Sequence, residues 1–363
     1  MKVEGATSFA AGEHLRLVDE DDHDVGLAIA DPENERLRVM ATPADGFAKI
    51  DGALLAVRVE RALAFRRQLG LVGADHAYRL IHGAGDGLPG FACDVLGPTA
   101  VVYAYGEGLR ALGCQLAEAI VGFAKLDGAV VKLRSRTGDQ VPQDIVGKSP
   151  PEQVVVTEHG VPFEVHPLAG LNVGLFTDMR EHRRGLGRFA AGARVLNLFS
   201  YTGALSVTCA RGGAQTVTSV DTSPGVAAWA RGNFGRSSLT GERWRFETGD
   251  AVRFLQRAAR DKERYDTVLI DPPTFSTARG QPWSVDRDYP DLIAKAAAVI
   301  PAGGILWLAA NTHELGSLAK LAHKGLRDRP AAILEQGGLP PEYPTVVAQP
   351  HDRYLQVVAL RLQ

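Results

Sequence analysis

Five short strand-like stretches in the second half of the chain are each followed by a segment long enough to form a helix. They are RVLNLFS (194–200), TVTSVD (216–221), WRFETGD (244–250), YDTVLID (265–271) and GILWLAAN (304–311). Strands that alternate with helices form βαβ units, in which the strands run parallel and helices cover both faces of the sheet. The alternation therefore predicts an α/β fold with a doubly wound parallel sheet.

Two more apolar runs follow these units, AAILEQ (331–336) and YLQVVALRL (354–362). The proline-rich loop between them leaves no room for a crossover helix, which parallel neighbours would need. We therefore expect the two runs to pair as an antiparallel hairpin at one edge of the sheet.

The first half of the chain has a different texture. Short β-like runs broken by Gly, Pro and Asp precede a helical run at 52–69, and a second group of strand-like runs surrounds a helical run at 111–125. We predict a small β-rich module with a linking helix (1–70), a small α+β module (71–170) and the α/β domain (171–363).

Composition excludes several classes of protein. The three cysteines, Cys93, Cys114 and Cys209, are far apart and form no C-x-x-C pair, so neither a disulfide framework nor a metal site is expected. The formal net charge of −2 gives no overall attraction to nucleic acid or to an acidic membrane. Neither a signal peptide nor a membrane-spanning run is recognisable, and a cytoplasmic location is expected.

Acidic residues end three of the first four predicted strands. Ligands of doubly wound sheets bind beyond the carboxyl ends of the strands. The first turn, NLFSYTG (197–203), has one glycine and lacks both common phosphate-binding patterns, so a cofactor here should lack phosphates. Asp221 is placed to accept both ribose hydroxyls of a nucleoside, and Asp250 to accept from an adenine amine. This favours S-adenosylmethionine, although an Asp after a strand is as often a helix cap.

The fourth strand ends in Asp271-Pro272-Pro273. Both residues that precede a proline are biased toward extended geometry, and neither proline has an N–H to donate. The carbonyls of this stiff segment could hold a planar amine or the edge of a base, and Phe275 could offer an aromatic face. The alternative is a rigid turn without a ligand.

Four motifs resemble the bacterial large-subunit ribosomal RNA methyltransferases: GLFTDMR (174–180), VLNLFSYTG (195–203), SVDTS (219–223) and IDPPTFS (270–276). The arrangement up to YRLIHGAGDGLPG (78–90) is similar to the members that methylate cytosine C5. The resemblance covers essentially the whole chain. It implies a PUA-like domain, a small α+β domain and a Rossmann-like methyltransferase domain that uses S-adenosylmethionine.

The resemblance also implies roles for individual residues. Cofactor contacts are expected at Asp178, Arg180, Asn197, Phe199, Ser200, Tyr201, Gly203, Asp221, Asp250 and Asp271. Asp178 and Arg180 are expected to close over the site from the preceding linker. Catalytic roles are expected for Asp271, Pro272, Pro273, Phe275 and Asn311.

One departure from the cytosine enzymes affects the target atom. Those enzymes carry a catalytic Cys after the fifth strand or after the prolines, where this chain has Asn311 and Thr274. The pattern is more like that of enzymes that methylate guanine N7, which favours a nitrogen target with Asn311 orienting the base. The alternative is that Asn311 caps the next helix, with Glu314 completing a capping box.

Ribosomal RNA is the partner that the resemblance favours, through local clusters of basic residues. The clusters are Arg180, Arg183, Arg184 and Arg188; Lys132, Arg134 and Arg136; and Arg58, Arg61, Arg66 and Arg67. For the last group a solvated helix face is the favoured interpretation. A methyltransferase that acts on a non-RNA acceptor and an inactive RNA-binding relative stay open, and so does a homodimer.

Overall fold

The computed structural model describes residues 6–134, 143–273, 275–276, 283–313, 315–349 and 352–363, without the side chains of 6, 275, 276 and 283. Arg136, Thr274 and Glu314 therefore lie outside the described residues. The chain forms two compact units. The first unit comprises Met1–Glu158, Val165–Val173 and Pro341–Pro350, and the second comprises His159–Glu164, Gly174–Pro340 and His351–Gln363.

Two sheets and two long helices build the first unit. The antiparallel strands His14–Val18 (β1), Asp24–Asp31 (β2) and Arg36–Ala41 (β3) form the smaller sheet, and helix Gly52–Gln68 (α1) follows it. The larger sheet has the order β4-β5-β6-β7-β8. Its strands are Ala77–His82 (β4), Phe91–Leu96 (β5), Thr99–Ala104 (β6), Gly128–Leu133 (β7) and Gln143–Gly147 (β8), with helix Arg110–Ala124 (α2) between β6 and β7. The predicted helices at 52–69 and 111–125 are confirmed as α1 and α2.

One apolar core runs through this unit. It joins Met40 of β3, Leu55 of α1, Phe91 of β5 and Ile120 of α2, all of them at most 1% exposed. This core is continuous from residue 29 to residue 133 and so includes residues of both predicted modules. The division of residues 1–170 into two domains stays a prediction.

Two of the four arginines of α1 do not belong to the solvated face that the sequence favours, whereas Arg61 and Arg67 are exposed as expected. Arg58 is half-buried and its Nη2 donates to Asp45 Oδ1 at 2.8 Å. Arg66 is 0% exposed, and it donates to both carboxylate oxygens of Asp86 (2.5 and 2.9 Å) and to the backbone oxygen of Glu342 (2.6 Å). A buried charge of this kind is tolerated because it is paired and hydrogen-bonded. The interpretation was wrong for these two residues.

The second unit contains a seven-stranded sheet of order β13-β12-β11-β14-β17-β19-β18. Its strands are Arg194–Leu198 (β11), Thr216–Asp221 (β12), Trp244–Thr248 (β13), Thr267–Ile270 (β14), Ile305–Asn311 (β17), Ala331–Gly337 (β18) and Leu355–Leu362 (β19). The helices are Arg180–Ala190 (α3), Ala204–Arg211 (α4), Pro224–Arg236 (α5), Ala251–Arg260 (α6), Val285–Ala297 (α7) and Leu318–Leu326 (α8). The second unit also contains the short strands Phe275–Ser276 (β15) and Trp283–Ser284 (β16) and most of Val161–Val165 (β10), whereas Val154–Glu158 (β9) belongs to the first unit.

Strand direction confirms the predicted Rossmann-like α/β fold. Strands β11 to β14 and β17 pair in parallel, and β19 runs antiparallel to both β17 and β18. The antiparallel hairpin at one edge is therefore confirmed. The strand order reverses between β11 and β14, so the carboxyl ends of these two strands flank the switch point where such sheets bind ligands. Within the part of the chain that the structure describes, no helix is long and apolar enough to cross a membrane.

Candidate active site

The loop after β11 has a strained backbone. Phe199 and Tyr201 have φ values of +58° and +47°, and Gly203 has +77°. Aromatic side chains seldom adopt this left-handed region, and such strain collects at ligand sites. The backbone N–H of Ser200 donates to Val220 O at 3.0 Å, which ties the loop to β12. The sequence analysis predicted that this loop belongs to the site. The structure adds that hydrogen bonding to β12 holds its backbone in one conformation.

Asp221, the last residue of β12, holds this loop in place. Its Oδ2 accepts from the backbone N–H of Tyr201 at 2.9 Å and its Oδ1 accepts from that of Ser223 at 3.1 Å. A carboxylate has about four lone-pair positions, so two remain for a ligand. The residue is half-buried at the carboxyl edge of the sheet. Its contact with a ribose stays a prediction.

Asn197 lies beneath the loop with a side chain that is 0% exposed. Its Nδ2 donates to Ser206 Oγ of α4 at 2.9 Å, and Ser219 Oγ of β12 lies 2.7 Å from the same oxygen. Asn197 Oδ1 is buried and has no hydrogen-bond partner among the described residues. The structure thus gives this side chain a role in joining α4 to the sheet. A direct contact with a cofactor stays a prediction.

The segment from Gly174 to Arg180 packs against the same loop. Thr202 Oγ1 donates to Gly174 O at 2.6 Å, and the rings of Phe176 and Tyr201 lie 5.3 Å apart. Gly174 has a φ of +108°, and an added Cβ would lie 2.3 Å from Cζ2 of Trp229. Burial raises the pKa of Tyr201 to about 12, so its hydroxyl stays protonated at neutral pH. The segment therefore contacts the loop after β11, and its role as a lid that closes over the cofactor stays a prediction.

Helix α5 is hydrogen-bonded to the loop after β11 and to β10 through two residues that the sequence did not single out. Asn233 is 0% exposed, donates to Thr202 O at 2.9 Å and accepts from the backbone N–H of Glu164 at 2.8 Å. Trp229 Nε1 donates to Glu164 O at 3.1 Å. No local pattern marks either residue, because both contacts join parts of the chain that are far apart in sequence.

A group of charged residues gathers around Asp271, directly after β14. Asp178 is 6% exposed, and its Oδ2 accepts from the phenol of Tyr354 at 3.1 Å. Arg183 is 3% exposed and donates to Phe176 O at 2.8 Å. The pKa of Asp271 is raised to about 7, mainly by burial and also by the negative charge of Asp178, while Arg183 opposes the shift. Asp271 can therefore be neutral or charged near neutral pH.

Tyr289 of α7 fixes the strand ends beside this group. Its hydroxyl lies 3.0 Å from Ile270 O and 2.8 Å from Ala309 O, so its single proton is shared between β14 and β17. The side chain is 0% exposed. Asp271 directly follows β14 and Asn311 is the last residue of β17, so Tyr289 bridges the two strands that carry them. No local sequence pattern marks the role of this residue.

The remaining predicted residues divide between site and support. Pro272 is buried, Pro273 is exposed, and the side chain of Phe275 lies outside the described residues, although its backbone pairs with β16. Asp250 caps α6 by accepting from the backbone N–H of Arg253 at 2.9 Å, so the helix-cap alternative applies there. Arg180 donates to Glu181 Oε1 at 2.5 Å. Contacts of these residues with a cofactor stay predictions.

Asn311 is not a helix cap. It is the exposed last residue of β17, whereas α8 begins at Leu318 and is capped by Ser317, whose Oγ accepts from the backbone N–H of Lys320 at 3.3 Å. The capping alternative was therefore wrong. Asn311 lies at the carboxyl end of β17, which is the neighbour of β14. Its role in orienting a base stays a prediction.

No cysteine lies at a carboxyl strand end. Cys209 is in α4, where burial raises its pKa to about 12, and Cys93 is fully buried in β5, where burial also raises its pKa. Cys114 is half-buried on α2. A raised pKa disfavours the thiolate, which is the nucleophilic form.

The geometry at the strand ends fits S-adenosylmethionine. A half-buried carboxylate with spare acceptors ends β12, and a fixed loop with one glycine follows β11. Two acids, Asp178 and Asp271, are close enough to interact, and a pair of acids favours a cationic ligand over an anionic one. The loop also lacks the row of glycines and the lysine that a polyphosphate would need.

Comparisons with known proteins agree with this geometry. A family model described as S-adenosylmethionine-dependent methyltransferase matches residues 94–355. Ribosomal RNA large subunit methyltransferase I of Erwinia tasmaniensis is 30% identical, over 97% of this chain and 91% of the relative. The protein of that name from Escherichia coli O139:H28 is 29% identical, over 99% of this chain and 93% of the relative. A crystal structure of a protein described as a methyltransferase, solved as a complex with SAH (S-adenosylhomocysteine), superposes with a TM-score of 0.86 at 25% identity, covering 97% of this chain and 92% of that one.

Proposed function

This chain belongs to the family of S-adenosylmethionine-dependent methyltransferases, and from that premise we propose that it methylates a base of ribosomal RNA at a nitrogen atom, without a covalent cysteine adduct. The chain is an enzyme that uses S-adenosylmethionine. When bound, this cofactor supplies a methyl group on a positively charged sulfur, which is already activated for displacement. The protein then has mainly to bind, align and exclude water.

Ribosomal RNA as the acceptor is supported by the relatives. Proteins that match nearly the full length of this chain are named ribosomal RNA large subunit methyltransferases. The first module, with its three-stranded sheet, is proposed as a PUA-like domain that helps to bind the RNA.

The nitrogen target is supported by the positions of the cysteines. A pyrimidine carbon becomes a methyl acceptor only after a nucleophile adds to the ring, whereas a ring nitrogen already carries a lone pair. The chain has three cysteines: one is buried in α4 and two belong to the other compact unit. This observation carries the proposal of a nitrogen, guanine N7-like, over a carbon.

We assign the roles of the site residues as follows. Asp221 accepts from the ribose of the cofactor, Asp250 accepts from its adenine, and Asp178 and Arg180 close over it. Asp271 and the carbonyl of Pro272 accept hydrogen bonds from the base, and Asn311 orients its edge. The stiffness of Pro272-Pro273 keeps these acceptors aligned, which matters because displacement at carbon is sensitive to angle.

Two measurements test the proposal. Ribosomal RNA from a strain that lacks the gene is compared with wild type by nucleoside mass spectrometry, and the purified enzyme is then offered the unmodified RNA together with labelled cofactor. We expect one methylated base to disappear and to be restored in vitro, with the label on a ring nitrogen. An unchanged modification map would favour a non-RNA acceptor, and the absence of measurable S-adenosylmethionine binding would favour an inactive RNA-binding relative. Label on a carbon would contradict the nitrogen target.

A further inference from the structure

The edge of the sheet at β13 concentrates positive charge. Residues 231–264, which comprise most of α5, all of β13 and α6 and their connections, contain nine Lys and Arg against five Asp and Glu. The whole chain has 40 basic residues against 42 acidic ones. A chain without net attraction for polyanions thus carries a basic region at this edge of its catalytic unit.

Several arginines of this region are not used in ion pairs. Arg236 pairs with Glu164, Arg257 with Glu247 and Arg260 with Asp261. Within the described parts of the chain, five exposed arginines of the region have no acidic partner: Arg231, Arg243, Arg245, Arg253 and Arg264. Each keeps most of its five N–H donors available to a ligand.

Two of these guanidinium groups are held over aromatic rings. The Arg231 guanidinium lies 5.2 Å from the ring centroid of Phe246, and that of Arg243 lies 4.3 Å from that of Trp244. Stacking restricts the rotation of the side chain and leaves the edge of the guanidinium free for hydrogen bonds. Less entropy is then lost when an anion binds.

The arginines flank a single open edge. Strand β13 ends the seven-stranded sheet, and β12 is its only partner strand among the described residues. Trp244 and Phe246 point toward α5, where their rings lie 5.8 and 5.0 Å from that of Phe234. Arg245 lies between them in sequence and therefore points to the opposite face. Basic groups from both faces thus border the same strand, which is about 16 Å long at roughly 3.3 Å per residue.

We propose that this basic edge, defined by Arg231, Arg243, Arg245 and Arg253, binds the phosphodiester backbone of the RNA substrate. The inference rests on the proposed function, which makes RNA the binding partner of this chain. Phosphate contacts supply affinity and orientation without reading sequence. The base is then selected elsewhere, at the carboxyl ends of β11, β14 and β17. Arg253 lies in the first turn of α6, close in sequence to Asp250, so the basic edge begins near the predicted cofactor site.

A different role is open to the same residues. Charged side chains on an edge strand hinder it from pairing with a strand of another molecule. If this were their role, their removal would cause self-association and leave RNA binding unchanged. The two roles therefore predict different results for one variant.

The test uses the full chain with Arg231→Gln, Arg243→Gln and Arg245→Gln combined. Binding to unmodified ribosomal RNA from the deletion strain is measured from 50 to 200 mM salt. Each phosphate contact removed lowers the slope of log K against log salt by about 1, so we expect a loss of about 2 to 3. The KM for RNA should rise at least about tenfold. The affinity for S-adenosylmethionine and kcat at saturating RNA should stay unchanged.

A matched control removes the same charge elsewhere on the unit. Lys320, Lys324 and Arg327 are exposed on α8 or directly after it. Their combined change to Gln should alter the salt slope much less. An edge variant that keeps the wild-type slope, loses no more than the control, or only self-associates in light scattering would overturn the proposal.

The design separates this inference from the proposed function. If the wild-type enzyme methylates RNA and the edge variant binds it normally, the function stands and the basic edge is wrong. If the wild type methylates no RNA but its RNA binding depends on these arginines, the basic edge stands and the methylation of RNA is wrong.

Discussion

The phenol of Tyr354 donates a hydrogen bond of 3.1 Å to Oδ2 of Asp178, although 176 residues separate the two in sequence. Asp178 in turn raises the pKa of Asp271 by its negative charge. Tyr354 precedes β19 directly, and β19 runs antiparallel to β17, so the start of β19 lies at the carboxyl end of β17. The phenol of Tyr354 thus connects residues 174–180, the proposed lid, to the start of β19, which is the last strand of the sheet in sequence.

Replacing Tyr354 by Phe removes a donor from a buried carboxylate. The free energy of unfolding should fall by about 1 to 3 kcal/mol, the usual range when a hydrogen bond to a charged group is removed. S-Adenosylmethionine should also bind more weakly in calorimetry, because Asp178 loses its orientation. Tyr265→Phe is the control: its hydroxyl donates to Glu263 Oε2 at 2.7 Å near the start of β14. Unchanged cofactor affinity in Tyr354→Phe would argue against Asp178 as a lid residue.

Activity should depend on the charge of Asp271. Its carboxyl has a pKa of about 7 in the folded protein, so it is mostly neutral at pH 6 and mostly charged at pH 8. The charged form accepts hydrogen bonds from a base and attracts the sulfonium, so kcat/KM should rise with pH through about 7. Asp271→Asn should lower turnover sharply and flatten the profile. Steady-state rates from pH 5.5 to 8.5 are the measurement, and an equally steep profile in the variant would refute this role.

Stability should show the opposite trend. Because the folded pKa of Asp271 lies above its ordinary value of 3.8, its proton stabilises the folded state fully below about pH 4. This stabilisation is lost as the pH rises through 7. Asp271→Asn should therefore raise the free energy of unfolding at pH 8 by about 1 to 3 kcal/mol, since no charge is then buried. Urea denaturation at pH 5 and pH 8 measures it. A variant that is less stable than wild type at pH 8 would be the contrary result.

Gly174 should not tolerate a side chain. With a φ of +108° and an added Cβ only 2.3 Å from Trp229, Ala at this position must displace the indole that packs near Tyr201. We expect at least about 2 kcal/mol of destabilisation and weaker cofactor binding. Gly316→Ala, where a Cβ would meet nothing within 4 Å, should leave both properties near wild type. Thermal unfolding with and without S-adenosylmethionine gives both quantities.

The cysteines should be dispensable for chemistry. Changing Cys93, Cys114 and Cys209 together to Ala should leave kcat largely intact, since none ends a strand at the site. Two of the three are fully buried, so some stability should be lost. Methylation rates are therefore compared at a temperature where circular dichroism shows both proteins folded. Loss of turnover in a folded variant would indicate a covalent intermediate.

The features predicted correctly from the sequence are those that depend on a few neighbouring residues. Strand ends at Asp221 and Asp271, the antiparallel hairpin and the long helices of the first unit follow from periodicity and turn residues, which act over a few positions. Asn311 shows the limit of such patterns: Glu314, three residues on, resembles a capping box, but α8 starts only at Leu318. Local spacing could not decide between two plausible helix starts.

Contacts between distant segments could not be predicted from one sequence. Tyr289 reads as an ordinary core aromatic, and Tyr354 as the start of a strand. The hydrogen-bond partners of their hydroxyl groups depend on the pairing of β14, β17 and β19 in the sheet. Arg66 illustrates the same point, since a helix arginine near other arginines looks solvated until its acidic partner, Asp86, is placed.

The contact between Arg66 and Glu342 has a consequence for folding during biosynthesis. Arg66 binds the backbone of Glu342, and residues 341–350 belong to the first unit although they follow nearly all of the second in sequence. During translation the amino-terminal unit therefore has to wait, with its buried guanidinium incompletely satisfied, until the ribosome has made almost the whole protein. The two units cannot be separated by a single cut, and a fragment that stops at residue 173 would lack a segment of its own unit.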